Sequence, residues 1–206
     1  MSEITSTEVT AVGSARIPTE WGVFECVAFR STGDGIEHLA LTVGDIADGQ
    51  PVLVRVHSEC LTGDVFASRR CDCRAQLHDA MSTISAQGRG VVVYLRGHEG
   101  RGIGIGHKIR AYSLQDHGRD TVDANTELGL PVDSREYDEA AAILRHLGVS
   151  KVRLITNNPL KGEALGGHGV SVVERIPAST APTAENLAYL RTKRDRLGHH
   201  IEIPGD

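Results

Sequence analysis

The sequence lacks the features that mark membrane, secreted and nucleic-acid-binding proteins. No apolar run approaches the roughly 20 residues that a membrane span needs, and the N-terminus lacks the basic-then-apolar pattern of a signal peptide. The formal net charge of −5 argues against general nucleic-acid binding, which usually shows a basic balance. We therefore expect a cytoplasmic protein that binds neither a membrane nor a nucleic acid.

Repeats and low-complexity runs are also absent, and 206 residues are enough to bury a proper core. The first fifty residues predict strands at 15–17, 23–29 and 38–43, with a turn at 31–35 between the last two. Strands and helices alternate from residue 52 onward, which is typical of α/β proteins. We expect an α/β fold, a mixed sheet with flanking helices and a β-rich N-terminal part. Residues 1–206 are expected to form a single domain, with 1–8 as a loose tail.

Apolar periodicity predicts the later elements. Strands are expected at 52–56, 90–95, 152–156 and 170–174, and helices at 77–88, 107–117, 133–148 and 184–197. Gly88, Gly118 and Gly148 fit the ends of the first three helices. After a linker-like loop at 177–182, Thr183 is expected to cap the last helix.

Three of the four cysteines, Cys60, Cys71 and Cys73, lie close together in the sequence. A disulfide between Cys71 and Cys73 would be strained by the single intervening residue and would leave an odd thiol. Three thiolates can instead hold zinc and leave the fourth position for water, as catalytic zinc sites do. Because the sequence contains no pair of CxxC motifs, free buried or reactive cysteines are the alternative.

A glycine-rich stretch, residues 96–108, follows the predicted strand at 90–95 and includes Arg96, Arg101 and Lys108. Glycines expose backbone amides to an approaching anion, so the stretch predicts phosphate binding. It is neither a Walker A motif nor the dinucleotide fingerprint, since the glycine spacing differs from both. A flexible, solvated surface loop is the alternative.

The stretch 156–159, Thr-Asn-Asn-Pro, followed by Lys161, ends another predicted strand. Ligands gather at the carboxyl ends of strands in open α/β sheets, which favours a binding role. A simple turn explains the same residues.

Together these pieces resemble GTP cyclohydrolase II, the enzyme that opens riboflavin biosynthesis. The matching stretches, in order, are 55–64, 71–73, 97–104, 108–112, 133–135 and 156–159, and the resemblance extends from about residue 17 to 199. The chain resembles the free-standing form, too short to include a fused dihydroxybutanone-phosphate synthase half. Arg69 and Arg74, beside the cysteines, depart from the family pattern.

The resemblance implies zinc-dependent hydrolysis of GTP, with zinc on Cys60, Cys71 and Cys73 and Mg²⁺ on the GTP phosphates. The guanine imidazole ring is opened, formate and pyrophosphate leave, and the product is 2,5-diamino-6-(5-phosphoribosylamino)pyrimidin-4(3H)-one. A homodimer is also implied. Two alternatives are a paralogue that stops at the formamidopyrimidine and a zinc- and nucleotide-binding module without turnover.

The resemblance further implies a set of residues that contact GTP: Arg55, Val56, His57, Ser58, Glu59, Gln76, Glu99, Gly100, Arg101, Thr121, Thr156 and Lys161. It implies Asp133 as a base and Arg135 as a nucleophile. A guanidinium stays protonated and has no free lone pair, so stabilising charge at the α-phosphate is an equal prediction for Arg135.

Two of the implied catalytic residues also have a purely structural interpretation. Asp133 and Glu136 have the spacing of a capping box, so a helix cap is the alternative to Asp133 acting as a base or as an anchor for Arg135. Tyr112 is expected to orient the guanine base or to donate a proton to it. Packing of its ring in the core is the alternative.

Overall fold

The computed structural model describes residues 7–178 and 181–203. The strands are β1 Val9–Thr19, β2 Gly22–Ser31, β3 Glu37–Val43, β4 Val52–Ser58, β5 Gly90–Leu95, β6 Lys151–Ile155 and β7 Ser171–Ile176. The helices are α1 Leu61–Asp64, α2 Cys73–Gln87, α3 Gly104–Asp116, α4 Thr121–Glu127, α5 Asp138–His146, α6 Pro159–Gly167 and α7 Leu187–Leu197. The predicted α/β class, with a mixed sheet and a β-rich N-terminal part, is confirmed.

The seven strands form a single sheet in the order β1-β2-β3-β5-β4-β6-β7. β1, β2 and β3 are antiparallel, and β3 joins β5 in the same sense. The pairs β5–β4, β4–β6 and β6–β7 are parallel. The carboxyl ends of these parallel strands therefore lie at one edge of the sheet, where ligands are expected.

Helices cover both faces of the parallel half, which explains the nearly continuous apolar runs of β4 and β5. Val54 and Val56 pack in the core that includes Leu144 of α5 and Leu165 of α6. Leu53 packs in a second core with residues of α2. Successive side chains of a strand point to opposite faces of the sheet. Arg55 and His57 follow Leu53 at alternate positions in β4, so they lie on the same face as α2. In the described part of the chain, no helix has the length and apolarity needed to span a bilayer.

The N-terminal strands are longer than predicted. β1 covers 11 residues rather than the expected 15–17, and its register with β2 shifts between Ala11 and Gly13. The exposed, mixed composition of β1 hides it from an apolar pattern. Of the expected loose tail, residues 1–6 lie outside the described part of the chain, whereas the Thr7 hydroxyl donates to the Asp138 carboxylate.

The predicted helices differ from the observed ones mainly at their beginnings. α2 ends before Gly88 as predicted, with a left-handed φ of 70° at that glycine. α3 begins three residues before the predicted start. α7 begins at Leu187 with Asn186 as its N-cap. The prediction that Thr183 caps this helix is wrong; Thr183 instead exchanges side-chain and backbone hydrogen bonds with Asn186 in a turn that precedes the helix.

The prediction that a helix begins at Asp133 is wrong. α5 begins at Asp138 with Tyr137 as its N-cap, and no capping box joins Asp133 to Glu136. The segment before α5 is held elsewhere, because the Ser134 backbone N–H donates to the Arg101 carbonyl at 3.0 Å. The sequence pattern was that of a helix start, but the segment packs instead against the glycine-rich stretch.

Candidate active site

A cavity opens where β4, β5 and β6 end. Its lining includes most of the residues that the sequence singled out: Arg55, His57, Ser58, Glu59, Cys60, Cys71, Cys73, Gln76, Glu99, Gly100, Arg101, Tyr112, Thr121, Arg135, Thr156 and Lys161. Val56 instead packs in the core, and only its carbonyl takes part, accepting a hydrogen bond from Lys161 Nζ at 2.8 Å. Asp133 lies behind Arg135, in a neighbouring pocket.

Three thiols meet on one wall of this cavity. Cys60 follows β4, whereas Cys71 and Cys73 lie at the start of α2, and the three Sγ atoms lie within 4.8 Å of one another. Gly63 makes room for them, since a Cβ at that position would lie 2.8 Å from Cys71 Sγ and 3.1 Å from Cys60 Sγ. The cluster has the donor type and spacing that a metal ion such as zinc requires.

The protonation of the three thiols is coupled. Hydrogen bonds from Cys71 and Cys73, together with the nearby ammonium of Lys108, lower the pKa of Cys60 far below its ordinary value. Once Cys60 carries the charge, the pKa of Cys71 rises to about 11 and that of Cys73 also rises. Cys60 is thus the thiol of the cluster that ionises most readily, and its thiolate can bind a cation.

Lys108 links the thiols to the glycine-rich stretch. Its Nζ donates to Cys60 Sγ at 3.1 Å, to Thr62 Oγ1 at 2.9 Å and to the Glu99 carboxylate. Glu99 is itself buried and accepts from the Leu61 backbone N–H at 2.6 Å. Burial alone would lower the pKa of Lys108, but the neighbouring Cys60 and Glu99 raise it, so the ammonium stays charged.

A chain of buried polar side chains runs beneath the thiols. Arg55 donates to Gln76 Oε1 at 2.6 Å, and Gln76 donates to Asp72 Oδ2 at 2.6 Å. Asp72, between two of the cysteines, accepts from Lys193 Nζ of α7 at 2.7 Å. Burial opposes ionisation of Asp72, but Lys193 and then Arg55 hold its pKa below the ordinary value. This series of hydrogen bonds therefore connects β4, the cysteine loop (residues 60–73) and the C-terminal helix α7.

Two histidines stand near the end of β4. His57 Nε2 lies 3.1 Å from both carboxylate oxygens of Asp64, and Asp64 also accepts from the Tyr94 hydroxyl at 2.9 Å. His98 Nδ1 lies 3.2 Å from Ser58 Oγ. Burial lowers the pKa of His57, and burial followed by nearby arginine and lysine side chains lowers that of His98 to about 3. Both imidazoles are therefore neutral near pH 7.

Asp133 and Arg135 form a forked ion pair. Arg135 Nε donates to Asp133 Oδ1 at 2.8 Å, and a terminal guanidinium nitrogen donates to Oδ2. Burial opposes ionisation of Asp133, but the arginine holds its pKa below the ordinary value. Both oxygens of the Asp133 carboxylate thus accept hydrogen bonds from Arg135. The guanidinium of Arg135 also lines the cavity.

The end of β6 forms the third side of the cavity. Asn158 caps α6, its side chain accepting from the Leu160 backbone N–H at 3.1 Å, and its own N–H donates to Thr156 Oγ1 at 3.0 Å. Lys161 is buried, and burial followed by Arg55 lowers its pKa well below the ordinary value. An anion in the cavity would favour its charged form.

Tyr112 lies on the cavity side of α3. Its ring centre is 4.9 Å from the Arg70 guanidinium carbon and 5.6 Å from Lys108 Nζ, so it borders the thiol wall. Burial raises the pKa of its hydroxyl. Of the two unusual arginines, Arg69 forms an exposed ion pair with Glu185 at 2.9 Å, and neither it nor Arg74 is among the residues that line the cavity.

A sequence model of the GTP cyclohydrolase II family matches residues 10–177. The chain belongs to the GTP cyclohydrolase II family. Three relatives are similar over nearly the whole chain. The bifunctional riboflavin biosynthesis protein RIBA 1, chloroplastic, of Arabidopsis thaliana is 61% identical over 200 residues, which cover 96% of this chain and 37% of that protein.

The second relative, riboflavin biosynthesis protein RibBA of Nocardia farcinica, is 58% identical over 194 residues, covering 94% of this chain and 47% of that protein. The third is monofunctional riboflavin biosynthesis protein RIBA 3, chloroplastic, of Arabidopsis thaliana. It is 57% identical over 191 residues, which cover 93% of this chain and 38% of that protein. The chain therefore spans less than half the length of the curated relatives it matches.

Several cavity residues of this GTP cyclohydrolase II family member were not predicted as site residues. They are Lys108, His98, Asn125, Tyr189, Lys193 and His199. Lys108 and His98 lie inside the glycine-rich stretch that the sequence singled out, so their charge and side-chain chemistry could have identified them as site residues. The last three lie on or after α7 and reach the cavity only because the C-terminal part of the chain folds back over it. No local pattern indicates that return.

Proposed function

We propose that this protein is a zinc-dependent GTP cyclohydrolase II that acts in riboflavin biosynthesis. It hydrolyses GTP with three waters, two that open the imidazole ring and release formate and one that releases pyrophosphate, and forms 2,5-diamino-6-(5-phosphoribosylamino)pyrimidin-4(3H)-one. The observation that carries the proposal is that one cavity joins three convergent thiols to buried cations. Metal-assisted hydrolysis and binding of a polyphosphate need these two features side by side.

The thiol wall is the proposed site of ring opening. Cys60, Cys71 and Cys73 would hold the zinc, with Gly63 leaving space for it. When bound there, zinc would supply the Lewis acid that makes water a competent nucleophile near neutral pH. The bond to be attacked is at the carbon between the two imidazole nitrogens of guanine, and a second hydrolysis of the resulting formamide releases formate.

Tyr112 is the proposed partner of the base. Burial raises the pKa of its hydroxyl above a value that already keeps it protonated near neutral pH, and its ring borders the thiol wall. It would orient guanine or donate a proton to it. Glu99 and Gln76 are proposed to recognise the base, and Lys108 to keep Glu99 in place through their buried ion pair.

The phosphate end is proposed to lie against Arg101, Arg135 and Lys161. Loss of pyrophosphate is a phosphoryl-transfer step, which normally uses Mg²⁺ and cationic side chains. We assign Arg135 the role of stabilising charge at the α-phosphate, because its guanidinium holds its proton and offers no lone pair. Asp133 is proposed to anchor Arg135, since both carboxylate oxygens accept from that guanidinium. Mg²⁺ would be held by the phosphates of GTP.

The remaining expectations concern the whole protein. We propose a cytoplasmic location, a homodimer and a single domain over residues 1–206. Analytical ultracentrifugation of the purified chain gives the oligomeric state directly. A monomer at micromolar concentration would contradict the proposed dimer.

Product analysis tests the proposed reaction. Zinc-loaded protein is incubated with GTP and Mg²⁺, and formate, pyrophosphate and the pyrimidine product are quantified by mass spectrometry. We expect all three in equal amounts. Accumulation of a formamidopyrimidine would indicate a paralogue that stops halfway, and GTP binding without any product would indicate a binding module.

Tyr112→Phe separates the two halves of the reaction. If Tyr112 assists only at the base, the variant should still release pyrophosphate while formate falls by about 10²-fold, the usual size of a general acid–base contribution. Equal loss of both products, in a less stable protein, would indicate that Tyr112 serves packing.

A further inference from the structure

The C-terminal segment, residues 187–200, forms part of the cavity wall. It comprises α7 and the three residues after it, and it lies beyond the region 10–177 that the family's sequence model matches. Three of its side chains line the cavity, namely Tyr189, Lys193 and His199. None of them has a role in the function proposed above.

Backbone contacts and one ion pair fix the position of this segment. The His200 backbone N–H donates to the Asn157 carbonyl at 2.9 Å, and the His199 backbone N–H donates to the Lys193 carbonyl at 3.1 Å. Lys193 Nζ is in turn held by Asp72 at 2.7 Å. The side chain of His199 is therefore placed in the cavity without having to make a bond of its own.

The surroundings of the His199 ring are strongly cationic. The ring is half-buried, and neither of its nitrogens has a hydrogen-bond partner among the described residues. The strongest electrostatic influences on it come from four basic side chains: Lys193, Arg101, Arg135 and Lys161. Burial and these cations lower the pKa of His199 to about 3, so the ring is neutral at pH 7 and offers one N–H donor.

An anion suits this position better than any other ligand. Four basic side chains drawn from four parts of the chain create a positive potential, and a neutral imidazole N–H adds a directed donor. We propose that His199 binds the phosphate end of the nucleotide, held there by the C-terminal segment. The identity of that nucleotide as GTP rests on the proposed function, whereas the binding of a polyphosphate does not.

A pair of adjacent histidines provides a matched test. In His199→Ala the cavity loses the imidazole, whereas in His200→Ala only an exposed side chain is removed, because the anchoring contact comes from the backbone. We expect His199→Ala to weaken GTP binding about tenfold or more, the size of a hydrogen bond to a charged group. Guanosine, which lacks phosphates, should bind both variants as it binds the wild type.

Equal GTP affinity of His199→Ala and wild type would overturn the proposal, and so would equal weakening by the two variants or an equal loss of guanosine binding. A measurement without substitution guards against misfolding of the variant. In the wild-type protein, inorganic pyrophosphate should slow amide exchange at residues 198–200, and guanosine should not. Absence of that protection would also overturn the assignment.

The same samples separate this inference from the proposed function. If the wild type binds GTP through His199 but releases no formate, the proposed reaction fails and the phosphate-binding role stands. If the wild type releases formate and His199→Ala binds GTP normally, the reaction stands and the role of His199 fails.

Discussion

Lys108 Nζ lies 3.1 Å from Cys60 Sγ and also donates to the buried carboxylate of Glu99. One ammonium therefore serves a thiol of the three-cysteine cluster and an acidic residue of the glycine-rich stretch. Because both partners are buried, neither has bulk water available to replace the lysine.

Lys108→Met should destabilise the protein by roughly 3–5 kcal/mol, because removing one member of a buried ion pair leaves the other uncompensated. The double variant Lys108→Met with Glu99→Gln should recover part of this loss, since the second change removes the unpaired charge. Urea unfolding of the wild type, both single variants and the double variant measures the coupling. Additive effects in the double variant would contradict the pairing.

Gly63→Ala should reduce bound zinc well below one per chain. The added Cβ would lie 2.8 Å from Cys71 Sγ and 3.1 Å from Cys60 Sγ, so the thiols would have to separate. Gly106→Ala in α3 is the control, because a Cβ there meets no atom within 4 Å and alanine favours a helix. Metal content is measured by inductively coupled plasma mass spectrometry. Full zinc content in Gly63→Ala would mean that the thiols do not hold the metal as proposed.

Asp133→Asn should stop pyrophosphate release while zinc remains bound. Asparagine cannot accept the forked pair of hydrogen bonds from Arg135 as a carboxylate does, so the guanidinium loses its orientation. Glu136→Gln is the control, because the structure provides no capping box for Glu136 to complete. A fully active Asp133→Asn enzyme would contradict the role of Asp133 as an anchor.

The stability of the protein should fall as the pH drops from 6.5 toward 3, in part because of His98. Its folded-state pKa of about 3 is below the ordinary value of 6.5, so within that range the unfolded chain binds the extra proton. The contribution is fully present above pH 6.5 and is lost on acidification. His98→Asn should therefore reduce the difference in unfolding free energy between pH 6 and pH 5 by roughly 1 kcal/mol. An unchanged difference would mean that His98 titrates normally.

Much of the fold could be predicted because its signals are local. The apolar run of β5 and the helix that ends before Gly88 needed only neighbouring residues for their recognition. α6 was missed although Asn158 and Pro159 are a strong helix start, because three glycines weaken the helical pattern after them. The start of α5 was placed wrongly because a local capping pattern was outweighed by the distant contact of Ser134 with Arg101.

The cavity itself was predictable where motifs supply its lining, and not where the tertiary fold does. The cysteines and the glycine-rich stretch identify themselves by residue type and spacing. Lys193, in α7, and His199, just after it, look like ordinary residues of a charged C-terminal segment in the sequence. Lys193 is placed in the cavity by its contact with Asp72, more than a hundred positions away.

The ion pair of Asp72 and Lys193 joins residues that are 121 positions apart, and Asp72 lies between Cys71 and Cys73 in the sequence. Anything that loosens the cysteine loop should therefore also loosen the last helix. Trypsin cleaves after lysine and arginine, and it would gain access to Lys193 when the helix detaches. Trypsin cleavage after Lys193, followed by gel electrophoresis, would thus report whether the proposed metal site is occupied.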